Sequence, residues 1–452
     1  MKARLIFGWL LVFSLVAAIG YAQQPPARQL GLAEALRLAR ENNPAYRSTL
    51  NNRWAASREA TSSALRLFTP TASISGSQSM EQGSEQYYTF LGRNVTTPGN
   101  SARGWSFRLG YALSGATIAN RGLARAQLQA TDADISGAAT FLETTVRQQY
   151  LNVLQAQAQV TLAAHVVGRA TETLNLAQAR NSVGQGTLID VRRAQVEKGQ
   201  AEVGLLRANQ TVENQILVLF ERMGVPAPQP VAVALTDSFP VTAPMLDRDS
   251  LLLLALQENP ALVALRAREA ASTWGVRSAY SQYLPSLNAS VNYGRSRYST
   301  KEATGLNPDS SVIWTPRTLS SIQPWSLNVG VSLPLFDQFQ RSVATAQAKA
   351  GQEDARLAIR NQELAVRADV TAAYLALVAA YQVIGIQLNN KGASAEALSL
   401  ATERYRVGNG TFLELLDARV SAEQADAAYV GAIYDYHKAY AALENAVGRP
   451  LR

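Results

Sequence analysis

Trp105-Ser106-Phe107-Arg108-Leu109-Gly110-Tyr111-Ala112-Leu113 places a bulky apolar side chain at every second position, with small or polar residues between. A period of two belongs to a β-strand with one apolar face and one wet face. The pattern returns at Trp325, Leu327, Val329, Val331 and Leu333, which alternate with Ser326, Asn328, Gly330 and Ser332. Leu287, Ala289, Val291 and Tyr293 give a third strand, and Ala72, Ile74 and Gly76 a weaker fourth. The spacing predicts two hairpins, 71–114 and 286–333, with strands of about ten residues. Polar loops at 81–102 and 295–322 would close them. Such strands suit either a half-buried sheet packed on helices or the wall of a transmembrane barrel.

The barrel reading carries an arithmetic demand. Four strands cannot close, because membrane barrels begin at about eight. An open edge in lipid would leave backbone groups unpaired at a cost of several kcal/mol each. Copies of the chain must then share one wall, with eight strands from a dimer or 12 from a trimer.

Working outward, the chain reads as one unit written twice. Asn43-Pro44-Ala45 recurs as Asn259-Pro260-Ala261, and Trp105-Ser106 as Trp325-Ser326. Val183-Gly184 and Gly186-Thr187 recur as Val407-Gly408 and Gly410-Thr411, and Gly224 with Pro226 as Gly448 with Pro450. The offset grows by about four residues between the strand and the Gly-x-Gly-Thr matches, about one helical turn, which preserves a helix face. We expect a first repeat over 23–224, a Pro-rich linker over 225–246 and a second repeat over 247–452. No proline occurs from Gly99 to Val225 or from Leu335 to Arg449. Interior proline costs a helix about 3 kcal/mol, so both windows suit long helices. These are expected at 116–181 and 187–223, then at 338–405 and 411–447, with shorter helices around Pro44 and Pro260. A helix over 116–181 would run about 100 Å, far beyond a globular norm. The charge-free apolar stretch at 370–390 could be read as a membrane span. Its counterpart at 146–160 carries Arg147, Gln148, Gln149 and Asn152, so a packed helix is preferred.

At the start, Lys2 and Arg4 precede an apolar run over 5–19 and then Ala22. This predicts a signal peptide over 1–22, since the run is short for an anchor. The 452 residues hold no cysteine and two histidines, and carry a formal net charge of +8. Disulfide scaffolds, thiolate metal sites and cysteine nucleophiles are thereby excluded. No Gly-x-Ser-x-Gly or His-Glu-x-x-His occurs, so no catalytic residue, metal or cofactor is expected. His165 and His437 read as surface or packing residues. Basic residues form no long run, and nucleic acid is not an expected partner. An exported coiled-coil surface protein without a channel is the competing class.

The duplicated Asn-Pro turn, the Trp-Ser strand openings, the Pro334-Leu335-Phe336-Asp337 junction and the Val-Gly-x-Gly-Thr tips together resemble the outer-membrane efflux protein (TolC-like) family, over about 30–450. The resemblance implies an α+β membrane protein. Long antiparallel helical hairpins would form an α-barrel, and four strands per protomer would complete a trimeric 12-stranded transmembrane β-barrel. It implies a homotrimer in the Gram-negative outer membrane with a periplasmic tunnel. Its partners would be outer-membrane lipid, a periplasmic adaptor and an inner-membrane RND or ABC pump. Its role would be the exit duct of a tripartite efflux or type I secretion system. Ser114-Gly115-Ala116 departs from the pattern by lacking the Pro-Leu-Phe junction.

The tips concentrate the candidate residues. Gly184, Gly186, Gly408 and Gly410 suit tight reversals. Thr187 with Asp190, and Thr411 with Glu414, read as capping boxes, Asp190 being the looser fit. Near a threefold axis any acid becomes a ring of three carboxylates that attracts cations. By the resemblance, Tyr405, Glu414, Asp417 and Asp190 would form the constriction. Arg180, Val183, Gly184, Gly186, Thr187, Arg404, Val407, Gly408, Gly410 and Thr411 would meet the adaptor. Gly410 stands where the best-known member has a basic residue. Trp105, Tyr111, Tyr293 and Trp325 suit an aromatic girdle at the lipid interface.

Overall fold

The computed structural model describes residues 28–89, 92–229, 231, 233–237 and 239–451. The expected signal peptide at 1–22 lies outside the described residues. In chain order the first half holds β1 (Arg28–Leu30), α1 (Leu32–Asn42), α2 (Pro44–Leu65), β2 (Thr71–Glu81), β3 (Glu85–Tyr88), β4 (Arg93–Thr96), β5 (Asn100–Leu113), α3 (Gly115–Ser182) and α4 (Leu188–Met223). Then follow β6 (Val233–Leu235), α5 (Arg248–Glu258), α6 (Pro260–Ser281), β7 (Ser286–Leu306), β8 (Val312–Ser332), α7 (Gln340–Arg406) and α8 (Phe412–Val447). Helices α3 and α7 have 68 and 67 residues, and α4 and α8 have 36 each. Helices α3 and α7 therefore extend about 100 Å, and α4 and α8 about 54 Å.

Each Asn-Pro turn locks a short helix onto the end of a long one. Asn43 accepts from the Tyr46 N–H at 2.9 Å to cap α2, and its amide donates to the Arg222 carbonyl at 2.9 Å. Asn259 repeats this, accepting from the Ala261 N–H at 3.0 Å and donating to the Ala446 carbonyl at 3.1 Å. Gly224 and Gly448 close the long helices at φ of 72° and 94°, where a side chain is strained. A Cβ at Gly224 would lie 2.6 Å from the Asn42 carbonyl oxygen, and one at Gly448 2.6 Å from Pro260 Cδ. The separate sequence repeats, Asn-Pro and Gly-x-Pro, are thus two sides of one joint.

The four long strands form one antiparallel sheet in the order β2-β5-β7-β8. Leu109 pairs with Val291 and Phe107 with Tyr293, so the apolar alternation falls on one face. Arg108 and Asn292 pair on the other, where the Arg108 Nε donates to Asn292 Oδ1 at 2.7 Å. The polar face, with Arg108, Asn288, Ser290 and Asn328, lines a cavity of about 640 Å³.

Two expectations need correction. The loop expected at 295–322 is mostly strand, and β7 and β8 have 21 residues each. Polar residues on both faces erase the apolar alternation there. Hydroxyl pairs hold the ladder instead, with Ser296 and Ser321 at 2.7 Å and Thr304 and Thr315 at 2.6 Å, joined by Arg317–Glu302 at 2.6 Å. The loop at 81–102 likewise contains the small hairpin β3–β4. The Pro-rich segment 225–246, expected as a linker, carries ordered structure of its own. Its β6 pairs in parallel with β1, and Asp237 accepts from the Leu32 N–H at 2.7 Å and the Tyr150 hydroxyl at 2.6 Å. Phe239 packs on Tyr150 and on His437, whose Nε2 lies 3.2 Å from the Phe239 carbonyl. His437 is buried and His165 exposed.

The long helices start by different devices. Ser114 caps α3, accepting from the Thr117 N–H at 3.3 Å, which replaces the missing Pro-Leu-Phe junction. Helix α7 begins two residues after the expected 338, because Gln338 and Phe339 both take positive φ. Asp337 then accepts from the Arg341 N–H at 3.0 Å and its Nε at 2.7 Å. Among the described residues α7 alone is long and apolar enough to cross a membrane. Val366, Val370 and Leu377 are buried against α5 and α8, whereas Leu375, Ile386 and Leu388 remain exposed on the protomer.

Candidate gate at the helix tips

Both tips reverse by the same local chemistry. Gly184 and Gly408 adopt φ of 73° and 87°, and the N–H groups of Gln185 and Asn409 reach back to the carbonyls of Arg180 and Arg404 at 2.9 and 2.8 Å. Gly186 and Gly410 are needed for closeness: a Cβ on either would stand 3.1 Å from the Cβ of Arg180 or Arg404. A basic side chain at position 410 would therefore meet the preceding helix end.

The threonine caps differ from the expected order of fit. Thr187 accepts from the Asp190 N–H at 3.2 Å while Asp190 accepts from the Thr187 N–H at 3.4 Å, a complete capping box. Thr411 caps the Glu414 N–H at 3.2 Å, but the Glu414 carboxylate turns to Arg404 at 3.8 Å. The shorter aspartate closes its box, and the longer glutamate reaches a nearby cation instead.

The two tips pack on one another through Ala177, Ala194, Tyr405, Phe412 and Leu415. Tyr405 is buried, edge-on to Phe412 at 5.8 Å, and its hydroxyl has no hydrogen-bond partner among the described residues. Arg180 is half-buried over the Tyr405 ring, with the guanidinium carbon 4.5 Å from its centroid. Its Nη1 donates to the Tyr405 carbonyl and its Nη2 to the Gln185 carbonyl at 2.9 Å. Burial, then the nearby Asp190 charge, push the Tyr405 hydroxyl pKa up, against a lowering by Arg180. Thus Tyr405, Asp190 and Arg180 come together. Glu414 faces outward with Arg404, and Asp417 is exposed without a polar partner among the described residues. Val183 and Val407 are exposed at the extremities.

Sequence reasoning missed an ionic ladder behind this joint. Arg419, buried, meets Glu197 at 2.7 Å and Glu423 at 3.4 Å, and Asp426 meets Arg169 at 3.4 Å and Lys391 at 3.3 Å. The Arg419/Glu423 spacing of one turn was the available signal. Burial raises the Glu423 pKa, opposed by Arg419 and Arg169.

At the other end, Trp105 and Tyr293 meet edge-on at 5.6 Å and, like Trp325, are exposed on the protomer. Tyr111 differs. It is half-buried, and its hydroxyl donates to the Leu67 carbonyl at 2.6 Å, tying the strand base to the end of α2.

Residues 251–449, which include β7, β8 and the whole second tip, match the outer membrane efflux protein family. That domain occupies the second half of the chain. It is 24% identical over 300 residues to the outer membrane efflux protein BepC of Brucella suis, covering 66% of this chain and 61% of BepC. The chain thus matches less than two thirds of BepC's own length. It is 25% identical over 430 residues to the outer membrane protein TolC of Vibrio cholerae, covering 92% and 90% of the two chains. The solved structure of the outer membrane protein VceC from Vibrio cholerae has the same fold, with a TM-score of 0.73 at 19% identity over 93% of this chain and 97% of VceC. Outer membrane efflux proteins are outer-membrane transport channels rather than enzymes.

Proposed function

We propose that three copies of this chain form the exit duct of a tripartite efflux or type I secretion system, conducting cargo passively from periplasm to exterior. The carrying observation is the sheet: among the described residues it ends in two unpaired edges, β2 and β8, with an exposed apolar face. Lipid does not tolerate such edges. Three four-stranded sheets joined edge to edge would make a 12-stranded barrel, and the exposed apolar residues of α7 would be covered by a neighbouring protomer. The polar face would then line a wet lumen.

In this reading the tips form the periplasmic mouth. Tyr405, Arg180 and Asp190 hold the two hairpins of each protomer together, and Asp417 contributes to a carboxylate ring around the axis. Val183 and Val407, with Arg404 and the glycine turns, offer the surface for a periplasmic adaptor that joins the duct to an RND or ABC pump. The test is whether the purified protein migrates as a heat-modifiable trimer and gives discrete conductance in planar bilayers. A soluble monomer without conductance would leave the long helices as scaffold.

A further inference from the structure

We propose that Arg103, Arg295 and Arg297 bind the phosphate-bearing headgroup of an outer-leaflet lipid against the barrel wall. This rests on the barrel reading above. Arg295 lies directly opposite Trp105 in the β5–β7 ladder, and Arg297 directly opposite Arg103. By alternation all four share the apolar face with Phe107, Leu109, Val291 and Tyr293.

Their height on the wall fits a headgroup. Arg103 stands ten residues along β5 from Leu113 at the strand base. At about 3.4 Å per residue and about 40° of tilt, that is on the order of 26 Å along the membrane normal, close to the height of the apolar band. The helices leave from the base, so this is the outer edge.

The charge arrangement is costly alone. Like charges directly opposite in a ladder destabilise it, yet Arg103 and Arg297 occupy such a pair. None of the three guanidinium groups has a hydrogen bond or ion pair among the described residues. The nearest strand acids, Glu81 and Glu302, fall on the opposite face by alternation and are engaged with Asn100 and Arg317. With Trp105, Gly76 and Gln78, the three arginines line one open cavity of about 570 Å³. Guanidinium forks match phosphate oxygens bidentately, and a lipid phosphate would offset the mutual repulsion.

The test uses the purified trimer in detergent, titrated with diphosphorylated lipid A or its dephosphorylated counterpart, with bound lipid counted by native mass spectrometry. The wild-type protein should prefer the diphosphorylated lipid at least about ten-fold, one charge-assisted interaction's worth. The triple variant Arg103→Gln, Arg295→Gln, Arg297→Gln should lose that preference, and the triple Lys variant, which keeps the charge but not the fork, should retain part of it. Inorganic phosphate at equal concentration should not displace the lipid. No phosphate preference in the wild type, an unchanged preference in the Gln variant, or displacement by free phosphate would each overturn the assignment. Planar-bilayer conductance separates the two claims. A conducting wild-type protein without the preference defeats the lipid site alone, whereas a protein that never conducts defeats the barrel reading beneath it.

Discussion

The guanidinium of Arg180, at the end of one long helix, lies 4.5 Å from the ring centre of Tyr405, at the end of the other. One residue from each half of the chain therefore fastens the two helical hairpins at their tips. The contact combines a cation–π attraction, worth about 0.5–2 kcal/mol, with a hydrogen bond to the Tyr405 carbonyl.

Removing either partner should loosen the mouth, by unequal amounts. Tyr405→Ala deletes a buried ring at about 3–5 kcal/mol, while Arg180→Ala removes only the stacking and two hydrogen bonds. Both variants should show larger single-channel conductance than wild type. Tyr405→Phe should conduct like wild type, because the hydroxyl it removes has no partner among the described residues.

Asp417 and Glu414 separate pore from scaffold. Asp417→Asn should lower cation preference in reversal-potential measurements, since its carboxylate is exposed and unengaged. Glu414→Gln should change selectivity less, because Arg404 already offsets that charge. Unchanged selectivity in Asp417→Asn would remove Asp417 from its proposed place in the pore.

Acid should tighten the tip through Glu423. Its pKa is raised above 4.5 by burial, so the folded form holds its proton more strongly than the unfolded chain does. Stability at this site is therefore full below about pH 4.5 and is lost as pH rises through the folded-state value. Hydrogen-exchange protection around 415–426 should increase as pH falls through the raised Glu423 value toward 4.5, and Glu423→Gln should flatten that rise.

Gly224→Ala and Gly448→Ala should each destabilise the joint at the Asn-Pro turn. A non-glycine residue at positive φ costs about 1–3 kcal/mol, and each new methyl would also crowd the Asn-Pro turn. Asn43→Ala should cost about 1 kcal/mol as a lost helix cap, plus the unpaired Arg222 carbonyl. Protease sensitivity near 42–46 and 258–262, with trimer melting temperature, measures both.

The legible features were those whose physics is local. Proline-free windows and Gly-x-Gly-Thr breaks mark the long helices because a helix is limited by residues that interrupt it. Trp105–Leu113 declares a strand because only one of its faces is apolar. Residues 295–322 hid their strands, since Arg297, Ser299, Thr318 and Ser320 are polar and pair by hydroxyl and backbone contacts. The Arg180–Tyr405 contact was also invisible. Arg180 read as an exposed tip residue, and only the meeting of two segments more than two hundred residues apart gives it a ring to cover. Asp190 reads as the looser fit because the capping box ordinarily carries Glu or Gln, whereas a competing cation, Arg404, decides which box closes.

The long strands have one more outcome. β7 and β8 stay paired to Leu306 and Val312, nine residues past Arg297, whereas β5 leaves β7 at Ser101 and Ser299, so a two-stranded finger stands on the order of 20 Å beyond the arginine row. In a duct these fingers would stand around the exit as separate posts, leaving the closed wall to end where β5 parts from β7.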